Sequence, residues 1–177
     1  ADVVVSRSGA VTNTGGGTAA GIDARNAGSG KVDVDSGAVT LADASLGTSI
    51  NAVSSGGGAI TVDNGGALNG GAIGINGQTT GAGTVTVTTG AAIGATDAVS
   101  NTGITTSTVD GRNQVNVNHS IDADITGVLA QSSGTGLVDV NLAAGTTITA
   151  GTTGLYVLQS AGGAGGDIDI DTAGTIE

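Results

Sequence analysis

The chain has 177 residues, 35 of them glycine, with 15 Asp or Glu against 4 Lys or Arg for a net charge of -11, and it has no Cys, Pro, Met, Trp or Phe. So few cations cannot make the basic face that nucleic-acid binding needs, the absence of Cys excludes disulfides and Cys-held metals, and no run of 18 apolar residues offers a membrane-spanning helix. The 19 Val, 13 Ile and 8 Leu, set against almost no Lys, Glu or Met, favour an ordered all-β chain over helix or disorder.

The predicted elements come in groups of three. The first group is Val3-Val4-Val5, an apolar mark at Val11, and Ile22-Asp23-Ala24. The second is Val32-Asp33-Val34, Val39 and Ile50-Asn51-Ala52. The third is Ile60-Thr61-Val62, Leu68 and Ile73-Gly74-Ile75. The fourth is Val85-Thr86-Val87, Ile93, and a third member at Val99 or Ile104, with Asn101 to Gly111 read as a long turn. The fifth is Val115-Asn116-Val117, Ile121 and Val128-Leu129-Ala130. The sixth is Val138-Asp139-Val140, Ile148 and Leu155-Tyr156-Val157. A final part-group holds Ile168-Asp169-Ile170 and Ile176, after the glycine cluster at Gly162-Gly163.

Each patch alternates with period two, so each is a short half-buried strand. No such strand can bury its apolar face alone. Stacking equivalent strands from successive groups solves this, because every group is one coil lying on the last. The expected fold is all-β: a parallel β-helix, or β-solenoid, of three short strands per coil and six to seven coils. Crossover chirality makes it right-handed, and residues 1–177 form a single domain. A sandwich would instead show turn signals at even spacing and antiparallel returns.

This winding predicts a buried column in which Val32 lies under Ile60 and Ile60 under Val85. It also predicts outward ladders. One runs Asp33, Thr61, Thr86, Asn116, Asp139, Asp169; the other runs Asp35, Asp63, Thr88, Asn118, Asn141, Asp171. Like charges directly opposite are unfavourable, which singles out Asp139 against Asp169. Asp167, Asp169 and Asp171, with Asp139 and Asn141 one coil below, are the one set of oxygens that could approach a calcium shell. The stretch Gly162 to Asp167 resembles a single calcium-binding nonapeptide, but Asp169 stands where that motif has an aliphatic residue and there is only one copy. We therefore assign no metal, no cofactor and no catalytic residue, and read this strand as a solvated acidic face.

Other chemistry is sparse. His119 is the one histidine and reads as a polar residue at a strand end. Arg112, beside Asp110 and Asn113, falls in a long turn. Tyr156, between inward Leu155 and Val157, should face solvent. A polysaccharide hydrolase or lyase would need clustered carboxylates and cations in a groove, with aromatic sugar platforms; one Tyr and four cations disfavour it. An ice-binding face would need Thr triplets in register, and Thr86-Val87-Thr88 and Thr147-Ile148-Thr149 belong to different strands of the coil.

The imperfect Gly/Thr/Asn/Asp-rich repeat, as in SGAVTLADASLGTSINAVSSGGGAITVDNGGAL (Ser36 to Leu68), resembles the passenger of a bacterial autotransporter or a related secreted surface β-helix protein. The likeness extends along essentially the whole chain. It implies export to the bacterial cell exterior, a β-helical stalk, and adhesion or self-association. The missing C-terminal membrane barrel is a departure from that family. Neither end carries an evident cap, so the chain is expected to be part of a longer surface protein or to stack end to end with copies of itself. The expected function is non-catalytic: a structural or adhesive stalk at the cell surface or secreted. Its expected partner is itself or a host or cell-surface ligand, with neither nucleic acid nor membrane insertion of this segment. A self-assembling fibre subunit is the second expectation and a polysaccharide-active enzyme the third.

Overall fold

The computed structural model of the chain describes residues 1–42, 46–160 and 166–177. Gly162-Gly163, read above as a coil boundary, and most of the nonapeptide-like stretch lie outside the described residues. The described residues are all strand, turn and loop, with no helix. Coil one consists of β1 (Val3–Arg7), β2 (Val11–Asn13) and β3 (Ile22–Asn26); coil two of β4 (Val32–Ser36), β5 (Val39–Leu41) and β6 (Thr48–Ser54). Coil three holds β7 (Ile60–Asn64), β8 (Leu68–Asn69) and β9 (Ile73–Thr79), and coil four β10 (Val85–Thr88) and β11 (Thr102–Thr108). Coil five holds β12 (Asn113–Val117), β13 (Ile121–Ala123) and β14 (Thr126–Ser132), and coil six β15 (Val138–Leu142), β16 (Thr147–Ala150) and β17 (Thr153–Gln159). β18 (Ile168–Thr172) and β19 (Thr175–Ile176) lie on coil six.

Every strand pairs in parallel with its equivalent one coil away. The first face is a seven-stranded sheet in the order β1-β4-β7-β10-β12-β15-β18, and the third is a six-stranded sheet from β3 to β17. The second face joins two three-stranded sheets, β2-β5-β8 and β13-β16-β19, through single parallel bridges of Ile93 to Leu68 and to Ile121. The chain is a parallel β-solenoid of about six coils, as its repeat predicts. At the usual strand spacing the first sheet spans about 29 Å from first rung to last.

The core is a set of aliphatic columns. Val32, Ile60 and Val85 stack as expected, each fully buried. The second-face column Val11, Val39, Leu68, Ile93, Ile121, Ile148, Ile176 also holds along its whole length. On the third face the inward positions change in character along the strand. Ile22, Ile50, Ile75, Ile104, Val128 and Leu155 form the first column, and Ala24, Ala52, Gly77, Thr106, Ala130 and Val157 the second. The third column is polar: Asn26, Ser54, Thr79, Thr108, Ser132, Gln159. The second column is mostly Ala or Gly because the strand there closes on the first face; a Cβ on Gly77 would lie 3.0 Å from Val85 Cγ1.

Three expectations are corrected by the register. In coil five the first strand begins at Asn113, not Val115: Asn113 pairs with Val85 and Val138, and Val115 with Val87 and Val140. The outward ladders therefore pass through Gln114 and Asn116, not Asn116 and Asn118. Asn113 can occupy the aliphatic column because its Nδ2 donates to the Gln131 carbonyl at 2.9 Å. In coil three the third-face triplet is Ile75-Asn76-Gly77, since Ile75 and not Ile73 pairs with Ile50. In coil four, Asn101 to Gly111 is not a long turn. It contains β11, with Ile104 in the third-face column, while Val99 makes a single bridge to Ala123. One aliphatic residue among threonines gave β11 too weak an apolar pattern to be recognised.

Two columns of glycine fix how the coils sit. Gly30, Gly58, Gly83, Gly111, Gly136 and Gly166 each stand two residues before a first-face strand. A Cβ on Gly111 would collide with the Gly83 carbonyl oxygen, and one on Gly136 with that of Gly111. Gly74, Gly103, Gly127 and Gly154 occupy successive rungs of the third face, where a Cβ would enter the second-face aliphatic column. For Gly127 the obstacles are Ile148 Cγ2 and the Gly154 carbonyl oxygen, the latter at 2.5 Å.

Candidate functional surface

Outward side chains on the first and third faces bond along the rod. Asn51 Nδ2 donates to Asp23 Oδ1 at 2.8 Å, and Asn76 Nδ2 donates to Asn51 Oδ1 at 2.7 Å, forming a ladder over three coils. On the first face Asn141 Nδ2 donates to Asn116 Oδ1 at 3.2 Å, and Asn116 Nδ2 to Thr88 Oγ1 at 3.3 Å. Stacked amides and hydroxyls suit this geometry because each can both donate and accept.

The acidic set is divided between β15 and β18. Asp139 and Asp169 are directly opposite, as the sequence predicts. Asp139 is buried, and protein donors take both of its oxygens. Arg112 and Gln114 Nε2, the latter at 3.4 Å, reach Oδ2, and Asn141 Nδ2 reaches Oδ1 at 2.8 Å. Arg112 lies in the turn before β12, as expected, and from there it pairs with the carboxylate on the next coil. Asp169 and Asp171 are exposed on β18. Among the described residues no group of three or more His, Cys, Asp or Glu converges.

His119 follows β12 and is exposed, with its Nδ1 3.1 Å from the Thr89 carbonyl oxygen and its backbone N–H donating to Thr89 Oγ1 at 3.0 Å. Tyr156 faces solvent at 48% exposure, as expected, over Leu129 and beside Leu158. Arg25 holds the Asp23 carboxyl below its ordinary value, helped by the Asn51 N–H and opposed by partial burial. Lys31 is raised above its ordinary value, first by its 2.9 Å hydrogen bond to Asp33.

Sequence reasoning missed the buried polar corner after the third face. There Ser54 Oγ accepts from Gly58 N–H at 2.8 Å, Thr79 Oγ1 donates to the Gly58 carbonyl at 3.2 Å, and Ser132 Oγ donates to the Val109 carbonyl at 2.8 Å. These side chains satisfy the backbone that turns toward the glycine column. Their signal in the sequence is a Ser, Thr, Asn or Gln at the same position of every third-face strand.

Shallow hollows open on the surface of the described residues. One, of about 140 Å³, is lined by Ser107, Gln131, Ser132, Ser133 and Ser160. Another, of about 270 Å³, lies at the corner between the first and second faces and is lined by Ser6, Arg7, Ser8, Asp35, Ser36, Gly37 and Gly65. No family model matches the chain, and no curated protein or solved structure matches it significantly.

Proposed function

We propose that this solenoid is a non-catalytic structural segment: the stalk or passenger portion of a bacterial surface or secreted protein, serving adhesion or self-association. The supporting observation is how its polar side chains are used. Asp23, Asn51, Asn76, Thr88, Asn116, Asn141, Asp139 and Arg112 are bonded to neighbours on the same or adjacent coils. That arrangement stiffens a rod and leaves the repeated outer faces to present a surface. Export fits the resemblance of the repeat to autotransporter passengers, and a chain without Cys is indifferent to an oxidising compartment.

Negative-stain microscopy with sedimentation tests the reading. Single rods of constant width that bind bacterial or host cells when fluorescently labelled support a stalk. Filaments of that width with a repeat near one rod length place self-association first. Release of reducing or unsaturated sugars from any of a panel of polysaccharides overturns the non-catalytic reading.

A further inference from the structure

Three of the four cations are committed to carboxylates: Arg25 to Asp23 at 2.7 Å, Lys31 to Asp33 at 2.9 Å, and Arg112 to Asp139. Arg7 is not. Its guanidinium makes one hydrogen bond, from NH2 to the Ala10 carbonyl at 3.3 Å, and no ion pair with any described residue. Five N–H donors on a planar fork are thus nearly all available.

Arg7 borders the larger hollow, with Ser6 and Ser8 from coil one, Asp35 and Ser36 from coil two, and the corner glycines Gly37 and Gly65. The two glycines leave that corner bare of side chains on coils two and three. Ser36 pairs in register with Arg7, is 1% exposed, and its hydroxyl has no hydrogen-bond partner. It belongs to the inward row of β4 with Val32 and Val34, so it contributes buried wall beneath Arg7 and not a reachable hydroxyl. An uncommitted Arg, two exposed serines and one exposed Asp therefore border about 270 Å³.

The chemistry selects a ligand class. Arg7 suits a carboxylate, bound through two N–H groups. Ser6 and Ser8 offer hydroxyls that donate or accept, and Asp35 accepts from ligand hydroxyls. Asp35, in a molecule of net charge -11, also penalises a second negative charge, which disfavours a phosphate dianion. The volume is below that of drug-sized sites and fits about one sugar ring. We propose that this notch binds a polyhydroxylated monocarboxylate, the chemistry of a single uronic acid unit. The proposal stands on the notch alone and is independent of the stalk reading.

The test is a ¹⁵N–¹H NMR titration of the intact chain at pH 7 and physiological salt. The probes are sodium glucuronate, glucose, glucose 6-phosphate and a tetra-uronate. Glucuronate should shift the amides of Arg7, Ser8, Ser36, Gly37 and Gly65 with a millimolar Kd. Arg7→Gln should raise that Kd about tenfold or more, while glucose and glucose 6-phosphate leave the amides unmoved. Asp35→Asn should admit glucose 6-phosphate. A tetra-uronate that binds tighter than the monomer identifies a polymer as the source; equal affinity identifies a free acid. No shift at about 50 mM glucuronate, shifts that survive Arg7→Gln, or equal binding of glucose 6-phosphate by the unaltered chain each overturn the proposal.

Discussion

Val85 and Thr86 are neighbours in sequence and face opposite media. Val85 is fully buried between Ile60 and Asn113, whereas Thr86 is half-exposed between Thr61 and Gln114. A carboxylate at position 85 has no cation in its column, and an unpaired buried charge costs several kcal/mol, a large part of a domain's stability. At position 86 it meets a hydroxyl on one side and an amide on the other, with no like charge opposite. Val85→Asp is expected to abolish the cooperative thermal transition, and Thr86→Asp to shift Tm by no more than about 2 °C. Equal damage from both would refute the assignment of faces. Asp23 gives a second residue-scale test. Its pKa is lower folded than unfolded, mainly through Arg25, so its contribution is complete above the ordinary carboxylate range and disappears as pH falls through the depressed value. Asp23→Asn keeps an acceptor for the Asn51 N–H but loses the charge. It should lower Tm by a degree or two near pH 6, as an exposed pair does, and by nothing once the pH is below the depressed value. A difference that persists in acid would assign the effect to packing instead.

At the scale of the strand and its turn, glycine sets how closely faces approach. Gly127 lies on β14 where a Cβ would strike Ile148 of β16 and the backbone of β17. Neither obstacle can yield without shifting a coil, so Gly127→Ala should cost about 1–3 kcal/mol. Ser49 immediately precedes Ile50 in β6, the place Gly74 holds before Ile75 in β9, and already carries a Cβ, with a fully buried hydroxyl lacking a partner. Ser49→Ala keeps the packing and removes the orphan, so it should stabilise by about 1 kcal/mol. Denaturant midpoints decide both, and a destabilised Ser49→Ala would mean the hydroxyl is bonded after all. The same glycines explain what was legible in the sequence. Period-two aliphatics located the second-face column completely, because one large residue per coil marks it. They misplaced β12 by two residues, since Asn113 breaks the aliphatic rule and a shift of two preserves the alternation. Gly111, two before Asn113 as Gly83 is two before Val85, carries the missing register. The notch around Arg7 was not legible, because its walls come from three coils and only the winding brings them to one corner.

Across the whole molecule, strand pairing links each coil only to the ones beside it. Stability is then a sum of coil terms and interface terms, so opening should propagate from the rungs with a single neighbour. β1 and β18 are such rungs, and Ile168 and Ile170 on β18 are 46% and 45% exposed where their equivalents Val138 and Val140 are fully buried. Amide hydrogen exchange should therefore be slowest in β7, β10 and β12 and fastest in β1, β18 and β19. Gly127→Ala sharpens the test, since it weakens the contacts among coils four to six without touching coils one and two. Protection should fall in β14, β15, β16 and β17 while β4 to β7 retain theirs. A uniform loss along the chain would mean that the rod opens as one cooperative unit, and the nearest-neighbour account would then fail.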